Sequence, residues 1–191
     1  MTALYRVENL RVDMQLPGGL IPFGPPPRLN ILDGISLSVE AGETFGLVGE
    51  SCSGKTTLAR AMLGLVPASG TLRFRGAALE EASLRRGTAM MFQDPVAALS
   101  PRMQVGAAIT EPYAIHRIPR AERATAADLL ARVGLPPALA ARYPHELSGG
   151  QARRVCAARA LALNPALVIA DEPTAGLDVS IQGDILNLMA D

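Results

Sequence analysis

Lysine is almost absent from this chain. Its 18 basic side chains, in 191 residues, comprise 17 arginines and a single lysine, Lys55. There is no tryptophan, and aromatic residues make up only 4%. The two cysteines, Cys52 and Cys156, are too few for a disulfide framework. Neither sign of charge is in excess, since 18 acidic residues balance the basic ones. A dedicated nucleic-acid binder carries a basic surplus, so this balance argues against that class. No apolar run approaches the roughly 20 residues of a membrane span. Met1 to Arg6 has no basic stretch leading into an apolar one, so no secretory leader is read. With 49% hydrophobic and 19% charged residues, the chain is not of the disordered type. What remains is a folded chain with one sizeable core or two small ones, expected to be soluble and cytoplasmic.

A general preference for arginine accounts for the 17. It does not account for Lys55, unless that position needs a compact ammonium on a flexible stem.

The first forty residues read as strands: Tyr5 to Met14 alternates loosely, and Ile35, Leu37 and Val39 share one face at period two. Pro17 to Pro27 carries five prolines and three glycines, a loop that cannot pair as a central strand. Thr44 to Val48 reads as a short buried strand, and Lys55 to Leu65 as a helix ended by Gly64 and Pro67. Thr71–Arg75 and Thr88–Phe92 are further strands. Helical patterns follow at Gln104–Ile115, Arg120–Val133 and Pro137–Tyr143, then a helix from about Gly150 to Leu163. The apolar strand Leu167–Ala170 comes next, and a last helix starts near Val179. This order fits a parallel sheet with one helical excursion.

Gly49-Glu50-Ser51-Cys52-Ser53-Gly54-Lys55-Thr56 has the form G-x-x-x-x-G-K-[ST], after an apolar strand and opening a helix. Such a loop turns backbone N–H groups around a phosphate, and the helix end adds positive potential. Lys55 is placed to reach the β- and γ-phosphates of a nucleotide and the Thr56 hydroxyl to ligate Mg²⁺, with Thr57 next to them. The plain alternative is a Gly/Ser-rich turn that binds nothing.

Asp171 and Glu172 end an apolar strand, at the carboxyl edge where ligands of open α/β sheets bind. Asp171 suits Mg²⁺, directly or through water, and Glu172 suits a base orienting the attacking water. Taken alone, the pair could equally be a helix-capping turn.

Leu147-Ser148-Gly149-Gly150-Gln151 resembles the signature motif of ABC-transporter ATPase subunits. Gln93, after Met90-Met91-Phe92, is similar to that family's Q-loop glutamine, and Ala175-Gly176-Leu177-Asp178 to its D-loop. Phe92–Pro95, Ser100–Met103, Arg142–Glu146 and Asp178–Gln182 resemble the peptide/nickel import branch. The resemblance implies an α/β P-loop NTPase (RecA-like) fold: a parallel sheet core, an N-terminal antiparallel β subdomain and an α-helical insert. On this reading residues 1–92 and 156–191 make the β subdomain and nucleotide-binding core, and 93–155 the helical signature subdomain.

The resemblance also implies a mechanism. Two subunits, as homo- or heterodimer, pair head to tail. ATP lies between one subunit's phosphate loop and Ser148, Gly149, Gly150 and Gln151 of the other. Glu172, Gln93 and Lys55 serve catalysis, and Thr56, Gln93 and Asp171 the Mg²⁺. Integral-membrane permease subunits would be gripped through the helical insert, with an extracytoplasmic substrate-binding protein as an indirect partner and no nucleic acid. The chain would then lie peripherally on the inner face of the membrane. The rival readings are a soluble ABC ATPase acting on nucleic acid or ribosomes, and a nucleotide-binding fragment without activity.

The sequence departs from the family at Cys52, where glycine is usual, and at Met14, where an adenine-stacking aromatic is usual. Cys52, beside Lys55 and a helix start, is weighed as an oxidisable thiol against a tolerated substitution. His116 and His145 read as surface or capping residues. Neither stands at the family's switch histidine, about 30 residues beyond the acid pair, and the C-terminal part of the core is expected to be missing. Weak binding of Mg-ATP and very slow turnover follow as expectations.

Overall fold

The structure, a computed structural model, describes residues 3–15, 28–78, 80–92 and 97–172. The Pro-rich loop, Gln93, the D-loop and the last helix lie outside the described residues. The chain divides between Arg85 and Arg86 into two compact units.

The first unit is built on β1 (Tyr5–Gln15) and β2 (Arg28–Val39), which pair antiparallel from Tyr5↔Val39 to Gln15↔Arg28. The expected N-terminal antiparallel layer is therefore present. β3 (Ser69–Phe74) adds on the other side of β1, and β4 (Ala77–Ala78) pairs with β3, giving the order β2-β1-β3-β4. Tyr5, Val7, Leu10 and Val12 of β1 are buried while their neighbours are exposed, a period-two face with one shift where Asn9 takes a left-handed φ of 52°. α1 (Lys55–Met62) buries Leu58, Ala59, Ala61 and Met62. Its end is fixed by the chain's start: the buried Tyr5 hydroxyl donates to the Met62 carbonyl. Burial holds that phenol well above its ordinary pKa, so it stays a donor. A short helix α2 (Glu81–Gly87), absent from the sequence reading, carries the chain across the division.

The second unit contains β5 (Thr88–Met91) and β6 (Leu167–Ala170), paired parallel from Thr88↔Leu167 to Met91↔Ala170. Between them run α3 (Val105–Ile115), α4 (Ala126–Arg132) and α5 (Gly149–Leu161), with 3-10 turns at Arg120–Glu122, Pro137–Ala141 and Pro144–Glu146. Val105, Ile109, Leu129, Leu130 and Val155, each at most 1% exposed, form the centre of its core. α3 approaches its neighbours closely at Gly106, where a Cβ would stand 3.1 Å from the Ala140 methyl and carbonyl oxygen. α3 is also tied to α5 by charge. Arg159 donates to Glu111 at 2.6 Å and to the Ala98 carbonyl at 2.9 Å, while the Tyr113 hydroxyl reaches the Ala162 carbonyl at 2.9 Å.

Three expectations need correction. Thr44–Val48 does not form a buried strand: it lies outside any ladder, with Phe45 and Leu47 each 47% and Val48 95% exposed. A buried parallel strand needs a parallel neighbour, and among the described residues every ladder of its own unit is antiparallel. The helix expected over Arg120–Val133 is broken at Arg123–Thr125. There Thr125 caps α4, accepting from Asp128 N at 3.2 Å while the Asp128 carboxylate accepts from Thr125 N at 3.0 Å. The helix expected over Pro137–Tyr143 is a five-residue 3-10 turn.

Candidate functional site

In the first unit the loop Gly49–Gly54 leads into α1, and the backbone conformation rests on two residues. Gly54 is the N-cap, at φ 95°, and an added Cβ would meet Leu32 Cδ2 at 2.9 Å. Only glycine satisfies both the left-handed angle and that approach. Cys52 also has a left-handed φ, 65°, but it does so with a Cβ. That angle explains the usual preference for glycine at this position. The Cys52 thiol is free and exposed.

No side-chain hydrogen bond caps α1 at Gly54. Lys55 turns its ammonium back over the loop, donating to the Gly49 carbonyl at 2.8 Å and the Glu50 carbonyl at 2.6 Å. Gly49, Glu50, Ser51, Cys52, Ser53 and Gly54 run directly into Lys55, Thr56 and Thr57 of α1, with the Lys55 ammonium folded back onto the start of the loop.

In the second unit Ser148 is the N-cap of α5, and Gly149, Gly150 and Gln151 are its first three residues. Ser148 Oγ accepts from Gln151 N at 3.2 Å, and Gln151 Oε1 accepts from Ser148 N at 3.0 Å. Sequence reasoning assigned these residues to anion binding and missed the capping box, although the S-x-x-Q spacing signals it. The capping bond uses the Ser148 hydroxyl as an acceptor and leaves its own proton to donate. Just upstream, Tyr143 and His145 stack with centroids 5.8 Å apart, and His145 is exposed, a surface residue as expected. His116 is the C-cap of α3.

Asp171 and Glu172 follow β6, whose Val168 and Ala170 pack against the same core as α5. Asp171 N donates to the Met91 carbonyl at 3.0 Å, which prolongs the β5–β6 pairing and fixes where the strand ends. Glu172 has a left-handed φ of 48°. A non-glycine residue held there is strained, a condition that clusters at working sites. Gln93 lies outside the described residues. No group of three or more His, Cys, Asp or Glu side chains able to hold a metal occurs among the described residues.

Comparison with known proteins gives a consistent picture. Residues 32–175 match the ABC transporter family. A putative peptide import ATP-binding protein of Brucella abortus is 46% identical over 98% of this chain, and the chain covers 59% of that relative. The oligopeptide transport ATP-binding protein AppF of Bacillus subtilis is 47% identical over 83% of the chain, which spans 51% of it. For the glutathione import ATP-binding protein GsiA of Pectobacterium atrosepticum the values are 46%, 97% and 31%. The chain therefore spans at most about three fifths of these relatives. Among solved structures, the ATP-binding cassette MJ0796, a post-hydrolysis dimer bound to ADP and Pi, superposes with a TM-score of 0.80. It is 25% identical and aligns over 97% of this chain and 81% of its own. CbiO1 of Clostridium perfringens, part of the ABC transporter complex cbiONQ, gives 0.78 at 26% identity, over 98% and 72%. The fold is thus that of the P-loop ATPases, and the chain belongs to the ABC transporter family.

Proposed function

We propose that the chain is the ATP-binding, ATP-hydrolysing part of a subunit that powers a peptide importer. The observation that carries this reading is Lys55, the only lysine, folded into its own loop at an uncapped helix start. The loop 49–56 would take the β- and γ-phosphates, with the ammonium exchanging two carbonyls for phosphate oxygens. The Ser148 hydroxyl and the first N–H groups of α5 would present a second anion site to a nucleotide held by another subunit.

Mg²⁺ fits the donors available. Thr56 in the first unit carries a hydroxyl and Asp171 in the second a carboxylate, each a hard oxygen of the kind that Mg²⁺ takes, and the amide oxygen of Gln93 is of the same kind. Mg²⁺ usually keeps several waters and takes one or two protein oxygens together with substrate phosphates. Bound there, the ion would neutralise charge developing on the phosphates. Glu172 would hold and orient the attacking water, and its strained backbone is a restraint on where that carboxylate points. A membrane permease, reached through the helical part at 93–155, would convert subunit closure into transport at the inner face of the membrane. The import functions named for the relatives support peptides over other cargo.

The test uses two variants. Lys55→Ala should abolish ATP binding in a fluorescent-nucleotide titration. Glu172→Gln should bind ATP as the parent does and turn it over at least about 100-fold more slowly, the usual scale for loss of a general base. Turnover by Glu172→Gln equal to the parent's would remove Glu172 from this role.

A further inference from the structure

The outward face of the first unit's sheet carries charges that the nucleotide site does not use. Ser38, Arg6 and Arg73 stand in one row across β2, β1 and β3, since Arg6 pairs with Ser38 on one side and with Arg73 on the other. All three are exposed, while Val39, Tyr5 and Phe74 of the next row are buried on the opposite face. Like charges placed directly opposite each other on neighbouring strands repel. Arg6 has partial relief from Glu8, whose Oε1 lies 3.6 Å from its Nε. Arg73 has none: among the described residues its guanidinium has no hydrogen-bond or ion-pair partner.

This row lines a concavity of about 560 Å³, together with Glu8 and Glu40. That volume falls in the roughly 300–1,000 Å³ range of small-ligand sites. At one end Ala3 and Gly76 complete the wall, tied together where Arg75 N donates to the Leu4 carbonyl at 2.8 Å. Glu40 lies at this same end, one residue past Val39, which pairs with Tyr5. Its backbone N–H donates to the Glu43 carboxylate at 2.7 Å. Its own carboxylate, like the Ser38 hydroxyl, has no partner among the described residues. The concavity thus holds two guanidinium groups and two carboxylates, and one of each sign, Arg73 and Glu40, is left without a counterion.

We propose that this concavity binds a short peptide with both termini free, its carboxylate on Arg73 beside Arg6 and its ammonium on Glu40. A carboxylate over the opposed arginines relieves their repulsion and suits the planar guanidinium fork. A phosphate dianion would be repelled by Glu8 and Glu40, and a metal cation by the two arginines. A ligand with one charge of each sign meets neither obstacle. Arg73 and Glu40 stand two strands and two residues apart, about 12 Å between Cα atoms at sheet spacings. They do not meet within the chain, so the ligand has to span the gap. Three extended residues reach about 10 Å, which the two side chains complete, whereas a single amino acid reaches only about 3.5 Å. Binding here requires no nucleotide and so stands independently of the ATPase assignment, although the ligand class is that of the cargo proposed above.

The test is titration of the 191-residue chain with trialanine, without nucleotide, followed through backbone amide shifts in NMR. Saturable shifts are expected at Arg6, Ser38, Glu40 and Arg73. N-acetylation and C-terminal amidation of the peptide should each weaken binding about fivefold, the upper scale of one exposed ion pair, and free alanine should bind at least about fivefold more weakly. Arg73→Gln should bind trialanine about fivefold more weakly and lose its sensitivity to amidation while keeping its sensitivity to acetylation. Glu40→Gln should show the reverse. This exchange of sensitivities is a readout that a loss of folding would not imitate. Absence of saturable shifts in this row, equal binding of alanine or of doubly capped trialanine, or tighter binding of inorganic phosphate would overturn the proposal. So would variants that weaken free and capped peptides alike. ATP affinity measured on the same samples keeps the two sites apart: a chain that binds trialanine but no ATP would sink only the nucleotide assignment, and the converse only this one.

Discussion

Replacing Cys52 by glycine should make the protein more stable. Cys52 holds φ at 65°, where a side chain with a Cβ crowds the following carbonyl at a cost of about 1–2 kcal/mol. Its side chain is exposed and its thiol free, so no packing is lost on removing it. Against the gain stands the greater freedom of glycine in the unfolded chain, about 0.4–1 kcal/mol. The difference leaves a net stabilisation of about 0.5–1 kcal/mol. Cys52→Ala keeps the Cβ and removes only the sulfur, so it should change stability by less than about 0.3 kcal/mol, within the ordinary range of surface substitutions. Urea denaturation followed by circular dichroism, without nucleotide, measures all three proteins, with equal slopes required before midpoints are compared. A Cys52→Gly protein that is no more stable than the parent would refute the claim that the backbone angle carries strain. A Cys52→Ala protein stabilised as much as Cys52→Gly would show that the sulfur, not the angle, is responsible.

Two further outcomes follow from the packing. Tyr5→Phe removes the donor to the Met62 carbonyl and leaves that oxygen unpaired at the end of α1, so it should cost about 1–3 kcal/mol in the same denaturation assay. Hydrogen bonds from the Thr125 hydroxyl and backbone hold the Asp128 carboxyl below its ordinary pKa of 3.8. A depressed carboxylate contributes stability above its unfolded pKa and loses it as pH falls through the folded one. The stability difference between the parent and Asp128→Asn should therefore be constant near neutral pH and shrink on acidification below the ordinary value. A difference that does not change with pH would contradict this.

The segments of the candidate site are readable in the sequence because each is local. The loop 49–56, the Ser148–Gln151 helix start and the acid pair after β6 each need only a few adjacent residues to define them. Their side-chain patterns are the same whatever packs around them. What failed depended on partners far along the chain. Thr44–Val48 has the composition of a buried strand, yet composition does not supply the parallel neighbour that would bury it. Arg120–Val133 has helical periodicity throughout, but the Thr125–Asp128 box offers the backbone a better start five residues in. Conversely, Pro112 sits inside α3 without ending it. Its missing N–H frees the Ala108 carbonyl, while Glu111 and Tyr113 on either side are bound to α5. The conformation at Cys52 was hidden for a different reason, since a cysteine does not announce a left-handed angle.

The solitary lysine has a consequence for chemistry done on the protein from outside. A reagent selective for ε-amines meets one such group in this chain, and it lies in the mouth of the loop, shared between the carbonyls of Gly49 and Glu50. A lysine-specific protease likewise has one peptide bond to cut, Lys55–Thr56, inside the first turn of α1. Acylation at that amine and cleavage at that bond thus report on a single location. The loop comes with its own built-in tag, and its occupancy can be followed without introducing any foreign label.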